Sequence, residues 1–293
     1  MTINLNQLDI FIHVAETMNI TESARQLFIS QPAVSKGIRK LEESLGIKLF
    51  IRDKHQGLLL TAAGEEMLLL ARQMKKLEQQ MQQLACEENQ LLRGKVRIGS
   101  FPAATTNLLP EVIRLFRSRY PQIMIELKEG TSQQIREWLE QRVVEIGILS
   151  SPFDHLDTHV LIHDRMVAII PDDHPLIHQE SIALEQYDGE LIFCTGGHEA
   201  ALLSALQHNQ MTMRESLTVQ SVETLVHMTG QYLGIGIVSR FSLSSVRHSL
   251  TVKEIQPPVV RDIGIAALSW NDMTPAARQF AELIREMYCP NSP

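Results

Sequence analysis

The run Ser30 to Gly46, "SQPAVSKGIRKLEESLG", constrains this chain more than any other stretch, because both of its ends are marked. Ser30 offers an N-cap hydroxyl, Pro32 fits a first turn where its missing N–H is not needed, and Gly46 ends the helix. Val34, Ile38, Leu41 and Leu45 fall at i, i+4, i+7 and i+11 and make one apolar stripe. Pro32, Ser35, Lys36, Arg39 and Glu43 lie opposite, with Gln31 near the edge at the helix start. Only "FIS" separates this helix from an earlier short one, in which Thr21 is expected as the cap and Ala24 and Leu27 point inward. The pair is a helix-turn-helix. Leu8, Phe11 and Ala15, flanked by Ile10 and Val14, supply a first amphipathic helix that closes a small core. After the pair, "KLFIRDKHQGLLLT" reads as a hairpin whose tip, Asp53 to Gly57, is polar, basic and glycine-terminated: a wing.

An exposed helix fits the major groove of DNA, where Gln, Ser, Lys and Arg address base edges while nearby cations hold phosphates. In an isolated amphipathic helix such a face is merely solvated, but here the short turn, the cap and the basic wing agree. Net charge is −7 over the whole chain, which argues against indiscriminate coating of nucleic acid. From Ser30 to Lys54, however, Lys36, Arg39, Lys40, Lys48, Arg52 and Lys54 face only Glu42, Glu43 and Asp53. A basic segment inside an acidic protein suits a small, oriented contact with a polyanion.

Asn19 to Gly64, "NITESARQLFISQPAVSKGIRKLEESLGIKLFIRDKHQGLLLTAAG", resembles the winged helix-turn-helix of LysR-type transcriptional regulators, with "SQPAVS", "LEESLGIKLF" and "LTAAG" as the specific elements. That resemblance implies that Gln31, Pro32, Ser35, Lys36 and Arg39 face the major groove, that Thr21 sits near a phosphate, and that Arg52 and Lys54 serve the wing. Two residues depart from the family pattern. Ser23 stands where alanine is usual, and Gly37 lies mid-helix, where glycine costs roughly 1 kcal/mol relative to alanine and is read as a tolerated surface position.

Downstream, Met67, Met74 and Met81 repeat every seven residues, with Leu70, Leu77, Leu84 and Leu91 three places later. These are a and d positions of a heptad pattern, flanked by Lys, Arg, Gln and Glu, and they predict a helix that pairs along one seam. Paired rods bring two winged helices together and match a twofold-related pair of DNA half-sites. The expected organisation is a DNA-binding domain over 1–64, a dimerising helix over 65–94 and an effector-binding body over 95–293.

From Lys95 the texture alternates between strand and helix: "KVRIGSF", "NLLPEVIRLFRSRY", "QIMIELKEG", "SQQIREWLEQRV", "EIGILS". Such alternation predicts parallel sheet with helices on both faces, and so an α/β class overall. A second round, "RMVAIIP", "ELIFCTGG", "HEAALLSALQH", "ESLTVQ", "VETLVHMTGQYL" and "GIGIVS", supplies another lobe. The chain is expected to cross near Leu161 to Asp164 and to return near Leu268 to Trp270. That assigns 95–163 and 269–293 to lobe I and 164–268 to lobe II, with "TPAARQFAELIREMY" packing back on lobe I. Hydroxyls and glycine fall where strands end and helices begin: Ser100, Thr131, Ser132, Ser150, Thr195 and Gly196. Singly each is a helix cap; as a set facing one cleft they form a candidate effector site for a small anion. LysR-type regulators resemble this arrangement, with two Rossmann-like lobes of periplasmic-binding-protein type around an inducer, and "GSFPAATTNLLPEVIRLFRSRYP", "DDHPL" and "GQYLGIGIVS" carry the likeness. "RVVEIGIL", and Ser239 with Arg240 after "GIGIV", depart from the family's usual residues at the pocket wall. The resemblance further implies an interrupted-palindrome operator, a dimer or a tetramer built as a dimer of dimers, and RNA polymerase as a candidate partner.

Other chemistries find little support. "GIGIVS" places Ser239 where a dinucleotide fingerprint needs its third glycine. His155, His159 and His163 are spaced by four, but the intervening Val160, Leu161 and Ile162 indicate a strand with exposed histidines rather than a metal site. No nucleophile grouping or phosphate loop is recognisable, so neither a catalytic role nor a cofactor is expected. Cys86, Cys194 and Cys289 are odd in number and widely spaced; Cys194, at a strand end, leaves a thiol-based redox sensor as one alternative. The other is a small-molecule-binding module whose N-terminal helices serve assembly only. With no basic leader and no apolar run near the roughly 18 to 20 residues that span a bilayer, a cytoplasmic protein with no membrane partner is expected.

Overall fold

The computed structural model describes residues 3–53, 57–87, 94–187, 190–194 and 217–288. The chain divides into two compact units, Met1–Leu91 with Gln141–Val143, and Leu92–Glu140 with Val144–Pro293.

The first unit contains α1 (Leu5–Thr17), α2 (Ile20–Gln26), α3 (Gln31–Leu45), the hairpin of β1 (Phe50–Asp53) and β2 (Gly57–Leu60), and α4 (Ala62–Glu87). Its core gathers Leu8, Phe11, Val14, Ala24, Val34, Leu41, Leu49, Phe50 and Ala71, with the Phe11 and Phe50 rings edge to face at 5.6 Å. Burying each such large side chain contributes about 1.5 to 3 kcal/mol. The cap of α2 is Asn19 rather than Thr21: its Oδ1 accepts the N–H groups of Thr21 and Glu22. Asparagine two residues earlier reaches the free amides that Thr21, already inside the first turn, cannot. Gly37 is also not a surface position. It is buried, and a Cβ there would meet the Ile10 Cδ1 of α1 at 2.7 Å, so the missing side chain lets α1 and α3 approach. Ser23, also buried, bonds the Thr17 hydroxyl at 2.6 Å and the Asn19 carbonyl at 2.9 Å, contacts that alanine would lack.

The second unit opens with β3 (Gly94–Ser100), α5 (Pro102–Asn107), α6 (Leu109–Arg119), β4 (Ile123–Glu129), α7 (Ser132–Glu140), β5 (Ile146–Ser150) and the long β6 (Asp157–Ile170). It continues through β7 (Ser181–Ala183), β8 (Leu191–Cys194), β9 (Leu217–Val219), α8 (Val222–Gly230), β10 (Ile235–Ser239), α9 (Arg240–Leu243), β11 (Thr251–Gln256), β12 (Val260–Ala267) and α10 (Pro275–Tyr288). The expected helix "HEAALLSALQH" lies outside the described residues. Strand order is β4-β3-β5-β12-β6-β10-β8-β9, with β11 also paired to β6 and β7 paired to β11. The sheet is mixed rather than parallel, because β12 runs antiparallel to β5 and to β6. A chain that goes out to a second lobe and comes back must reverse direction, which strand and helix alternation alone does not reveal.

β6 is the outward crossing. Asp157 to Arg165 pair with β12 in lobe I, and Met166 to Ile170 pair with β10 and β11 in lobe II. Alternate residues then enter two cores: Ala168 and Ile170 join Ile182, Leu191 and Ile237, while Val167 and Ile169 join Ile192, Leu225 and Val238. The return lies earlier than Leu268 to Trp270. Ile263 to Ala266 already pair with β5 of lobe I, so the crossing falls between β11 and β12, at Pro257 and Pro258, which carry no N–H for a ladder. α10 packs on α6, with the Phe280 ring 5.1 Å from that of Phe116.

Candidate functional site

The first site is built on α3. Ser30 Oγ accepts the Ala33 N–H, and Gly46 closes the helix at φ 70°. Val34 and Leu41 are buried in the core, which leaves Gln31, Pro32, Ser35, Lys36 and Arg39 exposed together on the opposite side. Arg39 has only a loose pairing with Glu43, at 3.8 Å. Thr21 is exposed in the first turn of α2, and Arg52 is exposed on β1; Lys54 lies outside the described residues. A residue missed in sequence joins the helix to the wing. Buried Glu42 accepts the N–H groups of Leu49 at 2.9 Å and Phe50 at 3.3 Å and the Lys48 ammonium at 2.6 Å, tying the end of α3 to the start of β1. Burial pushes its carboxyl up, but Lys48 and the two amides outweigh that and hold it below the usual carboxylate value.

Along α4, Met67 packs against the core. Leu70, Met74, Leu77 and Met81 instead stand 55, 39, 53 and 71% exposed. They form an uncovered apolar seam at heptad spacing on a helix that reaches Glu87. Leu84 belongs to that helix, though its surroundings are not described, and Leu91 lies outside the described residues.

The second site lies at strand ends of the body. Ser132 Oγ and Ser150 Oγ are 3.0 Å apart, and the Ser150 N–H donates to Ser132 Oγ. Buried Ser100 donates to the Phe101 carbonyl at 3.3 Å. Thr131 acts as a cap: its hydroxyl accepts the Gln134 N–H while the Gln134 side chain accepts the Thr131 N–H, a reciprocal capping box. The structure therefore brings Ser132 and Ser150 together and puts Ser100 on the strand between β4 and β5; Thr195 and Gly196 lie outside the described residues.

Sequence reasoning missed the polar centre of the body. Asp164 of β6 and Arg261 of β12 are cross-strand partners, with Nε 2.8 Å from Oδ2 and side chains 2% and 1% exposed. Ser239 Oγ donates to the same carboxylate oxygen and accepts from Arg261 Nη2 at 2.8 Å, while the Phe241 N–H donates to Asp164 Oδ1 at 3.0 Å. Burial lowers the Arg261 guanidinium from its ordinary value, with Asp164 acting in the opposite direction. The Phe101 ring of lobe I lies 5.7 Å from that guanidinium, and Asn107 of α5 donates to the Phe241 carbonyl at 2.7 Å, so both lobes converge on α9. The only hint in sequence is a pair of opposite charges set in each of two otherwise apolar strands, "HDRMVAII" and "VVRDIGIAAL". Cys194 is buried at the end of β8, its thiol donating to the Gln220 carbonyl at 3.5 Å. The three histidines separate: His155 lies in a turn 3.6 Å from Glu140, His159 stacks on Trp270, and His163 meets Asp262.

Comparison with known proteins agrees with this layout. The family model for bacterial regulatory helix-turn-helix proteins of the lysR family matches residues 5–65, and that for the LysR substrate binding domain matches residues 89–288. The chain is 53% identical to YoaU of Bacillus subtilis (strain 168), an uncharacterized HTH-type transcriptional regulator, over 97% of this chain and 99% of that one. It is 34% identical to the uncharacterized regulator YvbU of the same organism, over 97% and 98% of the two chains. Among solved structures it is similar to a cysteine-substituted, full-length OxyR from Pseudomonas aeruginosa, at 25% identity and a TM-score of 0.74 over 97% of this chain and 95% of that one. With a helix-turn-helix followed by two α/β lobes, and family matches over nearly its whole length, the chain belongs to the LysR family of transcriptional regulators.

Proposed function

We propose that α3 reads an interrupted palindrome through Gln31, Pro32, Ser35, Lys36 and Arg39, with Thr21 at a phosphate and Arg52 and Lys54 in the wing. The seam of Met67, Leu70, Met74, Leu77 and Met81, continued by Leu84 and Leu91, pairs two chains, and two such dimers assemble as a tetramer on the operator. A small anionic effector binds between the lobes near Ser100, Thr131, Ser132, Ser150, Thr195 and Gly196 and shifts the balance between assembly states. RNA polymerase receives the output. The chain works as a regulator rather than a catalyst, and beside DNA in the cytoplasm; among the described residues no helix is long and apolar enough to cross a membrane.

The observation that carries this reading is the free polar face of α3, whose exposed side chains have no work in the fold of their own unit. Selection of duplexes from a random DNA pool by the purified chain, at stated salt, tests it. Enrichment of an inverted repeat supports a dimeric sequence reader; no shared sequence from folded protein overturns it and favours a ligand-binding module.

A further inference from the structure

The ladder of β6 with β12 has two sides. Ser100 stands opposite Ile148, Ser150 opposite Ile263, and Arg261 opposite Asp164. Since cross-strand partners and alternate residues share a face, Ser100, Ser150, Arg261 and Asp164 project to one side. His163, Asp262, Arg165 and Val260 project to the other. Beside them a groove of about 640 Å³ opens, lined by these four with Arg240 and Phe241, reached also by Asp164 and Arg261, and not lined by Ser100, Thr131, Ser132 or Ser150. Its volume lies within the range of small-molecule sites, roughly 300 to 1,000 Å³.

The chemistry of the walls is uneven. Arg165 Nη1 and Arg240 Nη2 approach the same oxygen of Glu254, at 3.3 and 3.5 Å, so two guanidiniums share one carboxylate oxygen at loose distances. Both side chains remain about half exposed, with planar donor forks that match a second carboxylate. Next to them Val260 is 73% exposed, an apolar surface left open in a strand otherwise well covered, and Phe241 supplies an aromatic neighbour. His163 and Asp262 close the far end by pairing with each other at 2.6 Å. Cationic forks beside open apolar surface fit a ligand with one carboxylate and a compact apolar body.

We infer that this groove is a second small-molecule site, separate from the hydroxyl-lined cleft, for an amphipathic monocarboxylate. Its head engages Arg165 and Arg240, and its body covers Val260 and Phe241. The site lies where β6 and β12 cross between the lobes and against α9, so its occupant touches the segments that set the angle between them.

Fluorine NMR titration of the full-length protein tests this, with 4-fluorophenylacetate as the acid probe and 4-fluorophenylacetamide as its neutral counterpart. The acid is expected to bind about tenfold more tightly than the amide. The double change Arg165→Gln with Arg240→Gln removes that preference, and Val260→Asp weakens the acid about tenfold by setting a like charge in its path. The preference for acid over amide depends on the arginine pair and survives Thr131→Val on the cleft side. Because Arg165, Arg240 and Val260 are exposed, circular dichroism should show all three groove substitutions folded. Equal binding of acid and amide, no binding of the acid up to about 10 mM, or loss through Thr131→Val but not through the arginine pair would each overturn the assignment.

Discussion

α3 and the centre of the body use polar side chains in opposite ways. On α3, Gln31, Ser35, Lys36 and Arg39 stand in solvent and the helix is held by its other face. In the body, Asp164, Arg261, Ser239, Ser132 and Ser150 are buried and satisfied by one another. A surface that meets a polymer from outside can leave its donors free, since water fills them until DNA replaces it. A site enclosed between lobes must satisfy its groups internally or lose the cost of desolvating them. Substitutions on α3 should therefore change binding and leave stability alone, whereas those in the body should change stability first.

The largest effect is expected at Asp164. Asp164→Ala leaves the Arg261 charge buried without its partner and should cost about 3 to 5 kcal/mol in urea unfolding. Asp164→Leu combined with Arg261→Met should recover most of that loss, and a double variant no better than the single one would show that the pair is not what holds the crossing. At the other pole, Gln31→Ala should lower discrimination between the selected duplex and a scrambled one by about 1 to 3 kcal/mol, with an unchanged melting temperature. Glu42 sharpens the contrast because it is a buried polar group inside the DNA-binding unit. Glu42→Gln should cost about 2 kcal/mol through its bonds to Leu49, Phe50 and Lys48. Its folded carboxyl lies below the unfolded value, so the stabilisation is complete above the unfolded carboxylate pKa of about 4.3 and fades as pH falls through the folded one. Unfolding across that acid range should slope for the parent and flatten for the variant. The smallest effect is expected at Cys194, whose thiol is buried and donates to a carbonyl. Cys194→Ser and the parent should respond alike to peroxide in DNA binding; a response lost in the variant would establish the redox reading.

How far each region can be read from sequence follows the same division. α3 is legible because its cap, its proline, its closing glycine and its apolar stripe lie within one run of the chain. The heptads of α4 and most strands of the body are legible from local period as well. What stays hidden depends on partners distant in sequence. Arg261 meets Asp164 across 97 residues, and nothing near either one announces the other. Glu42 looks like one more acid on a solvated helix until the chain returns to place the Leu49 and Phe50 amides over it. Gly37 looks tolerated in sequence because only the packed α1 shows what its missing side chain makes room for. The return crossing differs from its expected place for a related reason: the two prolines mark a break, but which lobe β12 joins is decided by its pairing with β5.

The central claim is that the polar face of α3 serves DNA and not the fold. The most direct test is to measure affinity for the selected duplex against salt, for the parent and for Lys36→Ala with Arg39→Ala, and to melt the same samples. Weaker binding with a log–log salt slope shallower by about 0.9 for each phosphate no longer neutralised, at an unchanged melting temperature, is the predicted result. Unchanged affinity and slope, or a melting temperature that falls with the affinity, would contradict it.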